Sequence, residues 1–166
     1  MMETPMTTEV TLREFHPRDK EKVAAFFDQM GGETRAFFNR NDGNRKTAMR
    51  FFDGEVPNTV YFLAEMNNEM AGYVYLWDVH TSVPWLGVAV SENMKGKHFG
   101  RTLVRHAVEY CASHGKGGIL LTTHVANLRG QGLYERMGFE CLGTHANGEF
   151  LYLLRLAGTP PGVVKK

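Results

Sequence analysis

Cysteine is scarce, with only Cys111 and Cys141 in 166 residues, so one bridge is the most the chain could form. Neither lies in a CxxC pair. Cys111 falls on the apolar side of a helical repeat and Cys141 in a short strand-like segment, and both read as buried thiols of a reducing, cytoplasmic compartment. Charge of either sign is also not in excess: 19 basic residues face 18 acidic ones, a formal net charge of +1. No global field therefore favours nucleic acid or a membrane surface. No apolar run approaches the roughly 18 to 20 residues that span a bilayer. The opening MMETPMTTEV lacks the basic and apolar regions of a signal peptide. The seven histidines show neither HxxxH nor HExxH spacing, so no metal site is expected. Disorder is excluded as well, because 43% hydrophobic and 22% charged residues is globular composition.

What is present is a regular succession of elements in a length suited to one domain. Alternation predicts strands over 10–15, 60–66 and 70–77, the last two joined by the compact turn Asn67-Asn68-Glu69. Pro17 suits the first turn of a helix that runs to about Met30 and is stopped by Gly31-Gly32. Shorter helical pieces follow over 33–39 and 44–53, divided by the turn Asn41-Asp42-Gly43. The phenylalanine doublets Phe37-Phe38 and Phe51-Phe52 read as core. Further strands are expected over 84–90, 119–125, 139–142 and 150–156, with a short helix before Arg136. The expected core spans about 9–157, and 1–8 and 158–166 read as loose termini. No repeat, linker or composition shift divides the chain.

The most informative stretch is residues 86–101, LGVAVSENMKGKHFGR. An apolar strand ends at Val90, a loop with Lys95, Gly96, Lys97, His98 and Gly100 follows, and a helix begins at once. Leu103, Val104, Ala107, Val108 and Cys111 lie on one face of its 3.6-residue period. The first amides of a helix lack internal partners and carry the positive end of its dipole. With glycine letting backbone come close and Lys95, Lys97 and Arg101 adding charge, the loop suits a phosphorylated cofactor. Neither the Walker pattern nor the dinucleotide fingerprint is present.

This segment resembles the acetyl-CoA pyrophosphate loop of the GCN5-related N-acetyltransferases, the GNAT superfamily. Lys95 takes the place of the Arg or Gln, Gly100 that of the final small residue, and His98 that of the usual first glycine. A second segment, NLRGQGLYERMGF from Asn127 to Phe139, is similar to the superfamily's second CoA motif. Asn127, Tyr134, Gly138 and Phe139 match it, with Gly130 where alanine is usual. The resemblance implies an α/β fold, a mixed and mostly antiparallel six- to seven-stranded sheet flanked by helices. It also implies a cofactor cleft where the strands ending at Val90 and Val125 splay apart. Acetyl-CoA is the implied donor, held by Val88, Ala89 and Val90 through backbone and by Lys95, Gly96, Lys97, His98, Phe99, Gly100 and Arg101 around its phosphates. Asn127 either hydrogen-bonds the pantetheine or caps the helix that follows it.

Tyr134 is the catalytic candidate, matching a tyrosine that in many relatives lies near the thioester sulfur and protonates the thiolate. A phenol near pKa 10 stays protonated where a thiol near 8.5 begins to ionise. The other reading of Tyr134 is packing alone. The general base is open among Asp78, His80 and water, since the neighbourhood Ser82-Val83-Pro84-Trp85 holds no carboxylate where some relatives carry one. Neither cysteine resembles an activated nucleophile, so direct transfer to a primary amine of a small molecule or peptide is expected. A slight basic excess over residues 34–58 hints at an acceptor with an anionic group. The rival is a non-catalytic acyl-CoA-binding or sensing module, and a longer acyl group also stays open. An edge strand near 150–156 would permit a homodimer.

Overall fold

Period-2 alternation in two neighbouring strands builds two cores at once. In β2 (Thr59–Met66) and β3 (Glu69–Trp77), Phe62, Ala64, Val74 and Leu76 enter one core, and Tyr61, Leu63, Tyr73 and Tyr75 the other. Their connection places Asn67 and Asn68 both at positive φ, 53° and 67°, as a two-residue hairpin turn of the right hand requires. The computed structural model describes residues 10–38 and 43–156. The expected loose termini and the Asn41-Asp42 turn lie outside the described residues.

The chain opens with β1 (Thr11–Glu14), a 3-10 turn at Pro17–Asp19 and α1 (Lys20–Asp28). Two short helices follow, α2 (Gly32–Phe38) and α3 (Gly43–Met49), the latter running into a 3-10 turn at Arg50–Asp53. After β2 and β3 come β4 (Trp85–Val90), α4 (Phe99–Ser113), β5 (Gly118–Thr123), α5 (Leu128–Arg136), β6 (Glu140–Thr144) and β7 (Phe150–Arg155). The strands form one seven-stranded sheet in the order β1-β2-β3-β4-β5-β7-β6. Every neighbouring pair is antiparallel except β4 and β5.

Helix α4 covers one face, burying Leu103, Val104, Ala107 and Cys111 completely, on the side its periodicity predicts. Helices α1 and α3 cover the other, where Val23, Phe26, Phe27 and Ala48 meet an aromatic layer of Phe15, Tyr61, Tyr73 and Tyr75. At the rim of this second core, Arg13 donates to both oxygens of Asp19 at 2.7 and 2.9 Å and to Glu65 at 2.7 Å. Asp19 is itself 2% exposed.

Three expectations are corrected. The strand β7 is not an edge: it lies between β5 and β6, and the edge on that side is β6. The apolar sequence FLYLLR gains from pairing on both sides, whereas β6 is polar, bulged near Gly143 and exposed along its whole length. For the same reason Cys141, on β6, is exposed, and only Cys111 is a buried thiol. Finally, β5 stops at Thr123 rather than Val125.

Candidate active site

The parallel strands β4 and β5 pair at a single point, Trp85 opposite Leu120. Just before it, Gly117 N–H donates to Ser82 O (2.8 Å) and Leu120 N–H to Pro84 O (2.9 Å). Beyond that point the strands part, and from Gly87 onward β4 has no strand partner on its β5 side. Backbone polar groups on such an edge need another partner. The gap is a cleft of about 750 Å³, a volume suited to a small-molecule site. The splay expected from the resemblance is thus present.

Val88, Ala89 and Val90 line one wall. A Cβ on their neighbour Gly87 would lie 2.4 Å from the Tyr75 ring, so glycine lets that ring lie flat against β4. The Tyr75 hydroxyl donates to Asn44 Oδ1 at 2.6 Å, and Asn44 Nδ2 donates to the Phe38 carbonyl. These contacts tie α2 and α3 to the cleft floor.

At one end stands the loop between β4 and α4. Gly96 has φ +82° and His98 φ +66°, and the His98 side chain makes no capping hydrogen bond to α4. The helix therefore presents its first amides uncapped, beside Lys95, Gly96, His98, Phe99, Gly100 and Arg101 on the cleft wall. Lys95 is paired with Glu92 at 3.3 Å. Lys97 is the exception among the expected residues: it is exposed and points off the wall. Two cations the sequence reading missed, Arg129 and Arg136 of α5, line the cleft instead.

Tyr134, on α5, reaches the same cleft while 7% exposed, its ring 5.9 Å from Phe139 and 6.0 Å from Tyr152. Burial pushes its phenol well above the ordinary value, with the nearby charge of Glu149 adding to the effect. The hydroxyl therefore stays protonated throughout the neutral range. Asn127 also lines the cleft, and it caps α5: its Oδ1 accepts from Gly130 N–H and its Nδ2 donates to Thr123 Oγ1, both at 3.1 Å.

Asp78 and His80 are exposed and off the cleft wall. The reason is topological: β3 runs antiparallel to β4, so its end at Trp77 lies beside the start of β4 at Trp85, away from the splayed ends. Besides His98 in the loop before α4, the cleft wall holds two proton-accepting groups among the described residues, His124, just past β5, and Glu149, just before β7. Glu149 is the one carboxylate on the wall among the described residues. No motif marks either of them; they meet only because β7 pairs with β5 through Thr123 and Phe150.

The segment after α1 contributes Thr34, Phe37, Phe38 and Asn44 to the wall and none of its described arginines. Arg35 donates to the Met30 and Phe27 carbonyls, Arg45 pairs with Asp28, and Arg50 with Glu55. These described arginines thus make their contacts within the fold rather than on the wall. Phe38, Phe51 and Phe52 pack against the second core as expected, Phe38 lining the cleft as well, while Phe37 lines the cleft and is not part of that core. Among the described residues no cluster of metal-ligating side chains occurs, and no helix is long and apolar enough to cross a membrane.

The comparisons agree with this geometry. A Bacillus subtilis (strain 168) protein, provisionally named a ribosomal protein bS18 alanine N-acetyltransferase, is 31% identical over 93 residues. That match covers 56% of this chain and 62% of the relative, so it spans less than two thirds of the relative's length. The crystal structure of the ribosomal-protein-S18-alanine N-acetyltransferase from Escherichia coli superposes with a TM-score of 0.72 at 15% identity, over 95% of this chain and 100% of that one. The PaiA N-acetyltransferase from Thermoplasma acidophilum, solved in complex with coenzyme A, gives 0.74 at 15% identity, over 89% of this chain and 99% of that one. At such identities these likenesses are of fold. The sequence profile of the Acetyltransferase (GNAT) family matches residues 17–139, and the chain belongs to that family.

Proposed function

We propose that the protein is an acetyl-CoA-dependent N-acetyltransferase that passes the acetyl group directly from the thioester to the primary amine of a peptide or small molecule. The observation that carries this reading is the cleft between β4 and β5, with an uncapped helix N-terminus at one end and the Tyr134 hydroxyl on its wall. The unpartnered edge of β4 from Gly87 to Val90 suits the amides of a pantetheine arm. The α4 amides, with Lys95 and Arg101, suit the pyrophosphate. Acyl transfer needs the donor held, the amine neutral, and the departing thiolate stabilised; Tyr134 would serve the last of these.

Direct transfer is supported by the cysteines. Burial pushes the Cys111 thiol up to about 11, and Cys141 stands exposed on β6, away from the cleft wall. Neither is thus placed to carry the acetyl group in the cleft. Both being free fits a reducing, cytoplasmic setting.

An acceptor with one ammonium group is favoured over a polyamine. A polyamine brings several positive charges, and the wall offers Glu149 alone against Lys95, Arg101, Arg129 and Arg136. The Bacillus relative's name points the same way, to an alanine of a ribosomal protein.

Two measurements test the reading. CoA should raise the melting temperature, by about 2.7 kcal/mol of stability at a hundredfold excess over Kd, dephospho-CoA less, and pantetheine least. Acetyl-CoA with an alanine-initiated peptide should release free thiol, and spermidine should be a poorer acceptor. Equal stabilisation by CoA and pantetheine would remove the phosphate site. CoA binding without turnover over a panel of peptides, amino acids and polyamines would leave a binding module instead.

A further inference from the structure

We infer that the Glu149 carboxylate is the group that receives the acceptor's ammonium and takes its proton, an inference that rests on the transferase reading above. Acceptor amines are protonated near neutral pH, and an ammonium has no lone pair with which to attack. A proton acceptor in the cleft therefore raises the share of bound amine that can attack.

His124 is disqualified by its own hydrogen bond. Its Nδ1 accepts from the Ala126 N–H at 3.0 Å, so its lone pair is engaged and the ring proton sits on Nε2. His98 stands at the proposed phosphate end, at the N-cap just before α4. Glu149 differs from both. Its Oε1 accepts from Thr122 Oγ1 at 2.8 Å and, more weakly, from Asn147 Nδ2 at 3.4 Å. Its Oε2 has no hydrogen-bond partner among the described residues. One oxygen is thus anchored and the other is free, in a half-buried group on the cleft wall. The other ionisable groups on the wall are Tyr75, Lys95, His98, Arg101, His124, Arg129, Tyr134 and Arg136. No second carboxylate competes among the described residues.

The step balances without further reagents. The ammonium gives one proton to Glu149, which passes it to solvent. The neutral nitrogen attacks the acetyl carbon, forming the N–C bond, and the C–S bond breaks. The thiolate leaves with the Tyr134 proton, and the second proton of the attacking nitrogen makes up that loss through Glu149 or water. The net products are the amide, the thiol and one proton.

The test compares wild type with Glu149→Gln and Glu149→Asp, using acetyl-CoA, an alanine-initiated peptide and a thiol readout across pH. Gln can still accept from Thr122, so the fold and the CoA-induced melting shift should be retained. At pH 7, Glu149→Gln should lower kcat/KM for the peptide by about 10²-fold, the low end for a general base. The loss should fall below about tenfold by pH 9.5, where an α-amine of pKa near 8 is already neutral in bulk. Asp should retain part of the activity. An undiminished rate, or a loss that stays constant with pH, overturns the assignment while leaving the transferase reading intact. The slow hydrolysis of acetyl-CoA supplies a readout without an acceptor, because water also gives up a proton, and it should slow in Glu149→Gln. If wild type binds CoA yet neither hydrolyses acetyl-CoA nor transfers its acetyl group, the transferase reading falls and this inference falls with it.

Discussion

The Phe37 ring of α2 stacks on the His124 imidazole with centroids 4.8 Å apart and 28° between the planes. Phe37 belongs to the α-helical side of the cleft and His124 to the far strand, so the pair bridges the gap. The Ala126 N–H donates to Nδ1 of that imidazole at 3.0 Å, which orients the ring in the stack.

Replacing Phe37 with alanine should open this bridge. KM for a peptide acceptor is expected to rise about three- to tenfold, consistent with the roughly 0.5 to 1.5 kcal/mol of an aromatic pair. CoA-induced stabilisation should be unchanged, since the stack joins α2 to the residue just past β5. A large loss of CoA binding with normal acceptor KM would place the stack on the cofactor side instead.

His98 holds a left-handed conformation, φ +66° and ψ +16°, that suits glycine better than a residue with a Cβ. His98→Gly should stabilise the free protein by up to about 1 kcal/mol and preserve or improve CoA affinity. Thermal melts with and without CoA check both points. Weaker binding by the glycine variant, together with wild-type binding that tightens as pH falls through the histidine range, would show that the imidazole donates to phosphate.

Tyr134→Phe should lower kcat about 10²-fold, the low end for a general acid, with acetyl-CoA binding nearly unchanged. Burial holds the phenol protonated at every pH tested, so the leaving group sets the pH dependence. The loss should shrink above a thiol pKa of about 8.5, where the thiolate departs without a proton. Wild-type kcat in the variant, measured where chemistry limits the rate, would reduce Tyr134 to packing.

Arg13 and Asp19 predict the acid response of the fold. The Arg13 hydrogen bonds hold the Asp19 carboxyl below its ordinary value of 3.8. A depressed folded pKa adds stability that is full above the unfolded value and is lost as pH falls through the folded one, here below about 4. Urea denaturation of Asp19→Asn should therefore show a flatter loss of stability from pH 5 to pH 3 than wild type. Arg13→Met, which leaves a buried carboxylate short of its main partner, should cost about 3 kcal/mol at pH 7.

Much of the fold was legible because local patterns and tertiary packing agree. The period-3.6 face of Leu103, Val104, Ala107 and Cys111 is the face that is buried, and the alternating strands around Asn67-Asn68 form the hairpin their spacing implies. The loop between β4 and α4 and the Asn127–Phe139 segment were readable as motifs because contiguous residues make both features. The acceptor side was not. Glu149 and Thr122 are 27 positions apart and meet through a strand pairing with no sequence signature, while Asp78 and His80, polar and near a strand end, lie at the wrong end of the sheet. Lys97 and Arg101 look alike in the sequence, yet one faces solvent and the other the cleft. The order of elements, the helix faces and the glycine-containing loop before α4 were written in local chemistry. Which side chains share the cleft was decided by strand order and direction, because a catalytic set drawn from several strand ends exists only once those ends are brought together.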